Sequence, residues 1–200
     1  MYARVLTFSG VNDIDAGTRF LQETAQPTVQ SQRGYKGLTA SADRSAGTLG
    51  VLSLWATEAD RDASESALAK TRDEARATLG AAGLTVETFE EMVVEVSRPP
   101  EVGSPLMVTR ISLDPAKIDE IIDVFKQNVA PEIKASPGFR ALRNMLNRQT
   151  GDGIVGTVWD DEQAMRAAAA EAMARREDAT RRGVTFVDTS YREIVFIDVR

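Results

Sequence analysis

Two hundred residues with 42% apolar and 27% charged content and a net charge of −6 describe an ordinary globular chain, with room for one large core or two domains of about 100 residues. No run of about 18 apolar residues occurs, and the opening MYARVLTFSG has neither the basic start nor the apolar stretch of a secretory signal, which predicts a cytoplasmic protein without membrane spans. The absence of cysteine removes disulfides and thiolate chemistry, the absence of histidine removes Ser-His-Asp triads, imidazole bases and proximal-histidine haem, and the acidic balance argues against nucleic acid or anionic membrane as partner.

In chain order the pattern reads strand, helix, strand, strand, helix, strand. A strand from Ala3 to Phe8 precedes a helix starting near Asp13. Strands from Tyr35 to Ala42 and Thr48 to Trp55 follow, then a helix capped by Thr57 with Asp60 three residues on, and a last strand from Thr85 to Val96. Residues 98–105 are rich in Pro, Gly and Ser and read as a linker. The order then repeats. Met107 to Leu113 alternates as a strand, and Asp114-Pro115 offers an N-cap followed by proline at the first helical position. Ile118, Ile121, Ile122, Phe125 and Val129 recur at helical spacing until Pro131, which is expected to break or restart the helix. Strands from Phe139 to Leu146 and Ile154 to Trp159 lead into a long Ala/Arg-rich helix ended by Gly183, and Tyr191 to Val199 closes the unit. On that helix Arg166, Arg175, Arg176, Arg181 and Arg182, interleaved with Glu171, Glu177 and Asp178, read as a solvated face.

The two halves coincide at an offset of 104 residues: Pro27 falls on Pro131, Gly34 on Gly138, Tyr35 on Phe139, Arg44 on Arg148 and Trp55 on Trp159. The expected organisation is therefore a first unit over residues 1–97, a linker over 98–105 and a second unit over 106–200. A βαββαβ order is the ferredoxin-like arrangement, whose sheet leaves one face apolar. Val51 to Trp55 looks apolar on both faces, so the expected fold is α+β, two ferredoxin-like units packed sheet to sheet as an intrachain dimeric α+β barrel.

The helix-proline element running into Gly138-Phe139, and the third strand ending in tryptophan followed by acids (Val155 to Glu162, Val51 to Glu58), resemble the antibiotic-biosynthesis-monooxygenase-like (ABM) domains of the dimeric α+β barrel superfamily, duplicated and fused. The resemblance covers nearly the whole chain. Such domains include cofactor-free oxygenases of polyketide quinols, haem-degrading enzymes and many members with no known activity, so the resemblance implies one of these three. The haem branch looks for a histidine about where Ser64 and Ala168 stand, so neither haem nor a metal is expected, and no cofactor at all. The oxygenase branch uses pocket residues of Asn, Trp, Tyr and Arg type. On that pattern Asn144, Trp159 and Arg143 are the candidate catalytic donors, with Trp55, Tyr35, Met145 and Phe139 as substrate-binding walls and Tyr35 or Tyr191 as the phenol to move a proton.

Asymmetry between the copies singles out the second. Arg143, Asn144 and Asn147 stand where the first unit has Thr39, Ala40 and Asp43; a hairpin centred between Leu146 and Ile154 would set Asn144 opposite Gly156 and Arg143 opposite Thr157. Each residue also has a structural reading, as strand-end core filler for the tryptophans and as a backbone-satisfying amide for Asn144. Bulk differs too: Ile121, Ile122, Phe125 and Val129 become Gly17, Thr18, Leu21 and Ala25, while Phe20, Leu52, Leu68 and Leu79 replace Val124, Gly156, Ala172 and Gly183. Volume moves between helices, and each unit is expected to keep a gap in a different place.

Three functions compete on this reading. One is a cofactor-independent monooxygenase of a small aromatic or polyketide-like substrate. The others are a non-catalytic small-molecule-binding or stress-associated barrel, and a structural pseudo-dimer. The expected partners are a small apolar or aromatic ligand, no nucleic acid and no membrane, with a pseudo-dimer inside one chain and room for a further homodimer.

Overall fold

A computed structural model describes residues 1–199, apart from the side chains of residues 174 and 175, and repeats its elements at the offset seen in the sequence. Arg175, read above as part of a solvated face, lies outside the described side chains. The first copy runs β1 (Tyr2–Ser9), α1 (Ile14–Phe20), a π-helical turn (Leu21–Ala25), α2 (Gln26–Gln30), β2 (Tyr35–Asp43), β3 (Thr48–Trp55), α3 (Glu58–Leu79) and β4 (Gly83–Val96). The second runs β5 (Pro105–Ser112), a short 3-10 turn (Pro115–Lys117), α4 (Ile118–Val124), a π-helical turn (Phe125–Val129), α5 (Ala130–Ala135), β6 (Phe139–Leu146), β7 (Asp152–Trp159), α6 (Glu162–Arg181) and β8 (Thr185–Val199).

The helices start where short polar side chains cap free backbone N–H groups. Asp13 accepts from Ala16 N, Thr57 from Asp60 N, Asp114 from Ala116 N and Asp161 from Ala164 N. Pro131 does not break its helix. A proline inside a regular helix loses one hydrogen bond and collides with the carbonyl four residues back. Here that carbonyl lies in the π-helical turn Phe125–Val129, whose wider winding makes room, and α5 continues to Ala135. Pro27 follows Leu21–Ala25 in the same way. Gly34 and Gly138 then turn the chain into β2 and β6 at φ of 76° and 77°, a left-handed conformation open to glycine.

The compact units are cut differently from the repeat. The first holds residues up to Thr88 and recovers the chain from Glu193, while the second holds Phe89–Arg192. β4 begins in the first and ends in the second, where it pairs antiparallel with β6 from Glu90↔Leu146 to Val96↔Ala141. β8 begins in the second and ends in the first, where it pairs with β2 from Ala42↔Glu193 to Gly37↔Val199. Strand order is therefore β4-β1-β3-β2-β8 in the first unit and β8-β5-β7-β6-β4 in the second. The expected divide at residues 98–105 follows chain punctuation, whereas compactness follows strand pairing. β8 also starts at Thr185, six residues before the expected Tyr191, because none of the residues in its first half (Thr185 to Arg192) is fully buried.

Each unit buries one sheet face under its helices. Phe8, Leu38, Leu49 and Trp55 anchor the first core; Ile118, Leu142, Leu146 and Trp159 anchor the second. Tyr35 meets Trp55 edge to face at 6.2 Å, and Phe139 meets Trp159 the same way at 5.8 Å. The pair Arg44–Asp15 at 2.7 Å recurs as Arg148–Asp119 at 2.9 Å. The two cores close by different means. In the first, a Cβ built on Gly17 would overlap Leu79 Cδ2, so the Leu79 side chain occupies the space where the second unit carries Ile121. A Cβ on Gly183, the counterpart of Leu79, would meet only Lys117 Nζ at 4.0 Å.

This exchange makes a test. Gly17→Ile should destabilise the protein by about 3 kcal/mol or more through overpacking, and Leu79→Ala by ~2–4 kcal/mol through a void. The two together should recover at least ~1 kcal/mol of the summed loss in thermal or urea unfolding, because they share one space. Strict additivity would show that they do not.

Candidate functional site

The largest cavity described lies in the second unit, between the inner face of its sheet and its helices, with a volume of about 280 Å³. Sheet residues Met107, Thr109, Asn144 and Thr157 form its floor, and Phe125 and Ala172 come from the helices above. Charged side chains, Glu132 from α5 and Arg176, Asp178 and Arg182 from the end of α6, line it as well. The corresponding space in the first unit amounts to about 60 Å³. Phe20, Leu68 and Leu79 fill there what Val124, Ala172 and Gly183 leave open, so the expected gap under the slimmer first helix of the first unit is closed by neighbouring side chains. The space opens to solvent at its charged end and has largely apolar walls, and its volume is close to that of a small-ligand site.

Asn144 carries the polarity of the floor. It is 99% buried, it faces the cavity, and its Oδ1 is shut off from solvent with no hydrogen-bond partner among the described residues. An unpaired buried amide of this kind costs ~1–3 kcal/mol, and Ala40 at the equivalent place in the first unit avoids that cost altogether. Its strand register differs by one residue from the expected one. Asn144 stands opposite Val155, Arg143 opposite Gly156 and Leu142 opposite Thr157. The loop fixes this, since Asn147 N donates to Asp152 O at 2.8 Å and sets Leu146 against Gly153. The same slip holds in the first unit, where Ala40 faces Val51 rather than Leu52.

Alternation along β6 separates the other candidates from the cavity. Asn144 and Leu146 line it; Arg143 and Met145 do not. Arg143 lies instead 3.0 Å from the Glu91 carboxylate, close enough for an ion pair though its N–H is not aligned for a hydrogen bond. Burial pulls the Arg143 pKa down and Glu91 opposes that pull. Trp159 is fully buried and its indole N–H donates to Thr157 Oγ1 at 3.0 Å, which removes it as a direct donor to a ligand. It reaches the cavity only through Thr157, whose hydroxyl keeps its own proton to donate. Phe139 is spent on Trp159.

In the first unit Trp55 donates to Ser53 Oγ at 3.1 Å and Tyr35 OH to Asp198 Oδ2 at 2.7 Å, and neither borders the small space there. Tyr191 is 47% exposed, which removes it as a buried phenol. The two units thus hold their tryptophans alike, and the larger of the two described cavities accompanies Trp159.

Two arginines escaped the sequence reading. Arg4 hides in a strand pattern of alternating apolar residues, yet it is buried, donating from Nη1 to Ser64 Oγ at 2.9 Å and from Nη2 to Arg61 O at 2.6 Å, with Glu65 at 3.0 Å. Burial lowers its pKa and Glu65 counters it. It ties α3 to the sheet where the second unit has Val108. Arg176 was hidden among the charges of α6. The signal that could have found it is again the repeat, for its counterpart Arg72 has a glutamate partner and Arg176 has none at the equivalent place.

No group of His, Cys, Asp and Glu among the described residues could hold a metal ion. Haem does not fit either. Ser64 Oγ is bonded to Arg61 O at 2.7 Å, Ala168 is a buried apolar side chain, and the chain has no histidine to offer iron. No described helix is long and apolar enough to cross a membrane.

Residues 106–176 match the family model of the antibiotic biosynthesis monooxygenases (ABM). Two uncharacterized proteins of Mycobacterium tuberculosis are similar along most of the chain. Rv2557 is 24% identical over 166 residues, covering 82% of this chain and 74% of its own, and Rv2558 is 25% identical over 181 residues, covering 88% and 76%. Among solved structures, an anthrone oxidase-like protein superposes with a TM-score of 0.70 at 16% identity, over 99% of this chain and 93% of its own. A heme-degrading enzyme from Listeria monocytogenes superposes at 0.56 and 8% identity, over 96% and 99%. The solved structures share this chain's α+β fold, and the family match is confined to residues 106–176.

The unpaired amide predicts a trade between stability and binding. Asn144→Leu should raise the stability of the unliganded protein by ~1–3 kcal/mol in chemical denaturation. A loss of stability would mean that the amide is satisfied and structural.

Proposed function

We propose that this chain, whose residues 106–176 match the antibiotic biosynthesis monooxygenase model, takes a small aromatic, polyketide-like molecule into the cavity of its second unit and oxygenates it with dioxygen directly, with no cofactor. The observation that carries this reading is Asn144, whose side chain lines a mostly apolar-walled cavity of about 280 Å³ and whose Oδ1 has no hydrogen-bond partner among the described residues. Apolar walls take up a flat hydrocarbon body, and one amide fixes the oxygen substituent that orients it.

The chemistry follows from what the cavity offers. A ring-activated methylene loses a proton to give a carbanion whose charge rests on a conjugated oxygen, and a donor aimed at that oxygen stabilises it. The Asn144 amide and the Thr157 hydroxyl are the donors available. The carbanion then transfers electrons to dioxygen, so that one methylene and one dioxygen molecule give one ketone carbonyl and one water. Both C–H bonds break, one oxygen atom stays on carbon, and the other leaves as water with the two hydrogens. The chain has no histidine and Asp178 is paired to Arg182 at 2.8 Å, which leaves the Glu132 carboxylate and solvent to take the proton and favours a substrate already acidic at carbon. That preference selects anthrone-like compounds.

Binding without turnover is the second reading, favoured by that same scarcity of a free base. Oxygen-electrode assays with anthrone separate the two. Oxygenation predicts one dioxygen consumed per quinone formed, unaffected by chelators, with kcat/KM lowered about 10²-fold or more in Asn144→Leu and little changed in Trp159→Phe once stability is matched. Ligand binding with no oxygen uptake would favour the second reading, and failure to bind would remove both.

A further inference from the structure

At the charged end of the second unit's cavity, Arg4 and Glu65 of the first unit give way to Val108 and Ala169, so one of the two arginines that share the carboxylate is lost together with it. On α3, Arg72 is held by Glu65 seven residues earlier, with both terminal guanidinium nitrogens on the two carboxylate oxygens, Nη1 at 2.9 Å. The hydrogen bonds from Arg72 hold the Glu65 carboxyl below its ordinary range. At the equivalent positions α6 carries Arg176 and Ala169. The arginine has been kept and its counter-charge removed.

Arg176 is nonetheless held in place. Its guanidinium carbon sits 4.8 Å from the centre of the Phe186 ring, and Nη2 donates to Thr189 Oγ1 at 2.7 Å. Both partners are neutral, so they orient the guanidinium without cancelling its charge, and its remaining N–H groups stay available as a fork for a carboxylate. Of the other charged groups lining the cavity, Asp178 and Arg182 pair with each other at 2.8 Å, and Glu132 comes from a different helix, α5.

We propose that the molecule bound in the second unit is an aromatic acid whose carboxylate is received by Arg176. This rests on the reading of the cavity as a binding site and names the class of its ligand. The aromatic body lies on the apolar walls, and the acid group replaces the carboxylate that the first unit supplies from Glu65.

Titration calorimetry near neutral pH and at low salt, with 2-naphthoate and its neutral analogue 2-naphthalenemethanol, tests the proposal. Wild-type protein should bind 2-naphthoate about tenfold or more tighter than the alcohol, as a charge-assisted pair implies. Arg176→Met should level the two affinities through loss of 2-naphthoate binding, with no gain for the alcohol. Ala169→Glu, which rebuilds the first unit's pair with Arg176 still present, should do the same. Unfolding curves for both variants check that the fold is kept, and of the two, Ala169→Glu alters no cavity-lining residue. Equal affinities in the wild type, or a preference that survives both substitutions, overturns the acidic-ligand inference and leaves the binding site standing. Binding of neither probe overturns both.

Discussion

The space between one face of a sheet and the helices above it has to be filled, and the two copies in this chain fill it from different directions. In the first, Leu79 reaches back from the end of α3 onto Gly17; in the second, Ile121 on α4 takes that volume and Gly183 gives it up. Leu68 against Ala172 and Phe20 against Val124 continue the same exchange. A packed interior tolerates such swaps as long as total volume is kept. In the first unit it is kept almost completely. In the second it is not, and the deficit collects over Asn144.

The scaffold that holds the deficit is conservative by comparison. Both units retain a π-helical turn ahead of a proline, a left-handed glycine into the second strand, an aromatic edge on a tryptophan, and an indole bonded to the hydroxyl two residues before it. These features fix the sheet and the helix axes. They leave the side chains facing the interlayer space as the variable part, which is where the units diverge in polarity and size.

The repeat was legible because it rests on residues with local consequences: proline, glycine and strand-end tryptophan. Asn144 was legible for a related reason, as a polar gain against Ala40. What escaped depends on tertiary detail. The hairpin register hinged on one loop hydrogen bond from Asn147, and alternation along β6 puts Arg143 and Met145 on the face opposite Asn144 in either register. The first half of β8 was missed because none of its residues is fully buried, so no apolar face marks it in the sequence. Trp159 looked like a free donor since nothing in a linear pattern says that Thr157 accepts from it. Arg176 is one arginine among several on α6, and only the substitution of Glu65 by Ala169 sets it apart.

Joining the two units in one chain bears on how a cavity of this kind can arise. In an assembly of two identical subunits every substitution is written twice, so a mutation that opens a void or strands an amide weakens both halves together. Here the same change is written once. One half can drift toward looseness while its twin is under no pressure to follow, and intermediate forms lose about half the stability that a symmetric pair would lose. The contrast between a space of about 60 Å³ and one of about 280 Å³ is what such a history would leave behind.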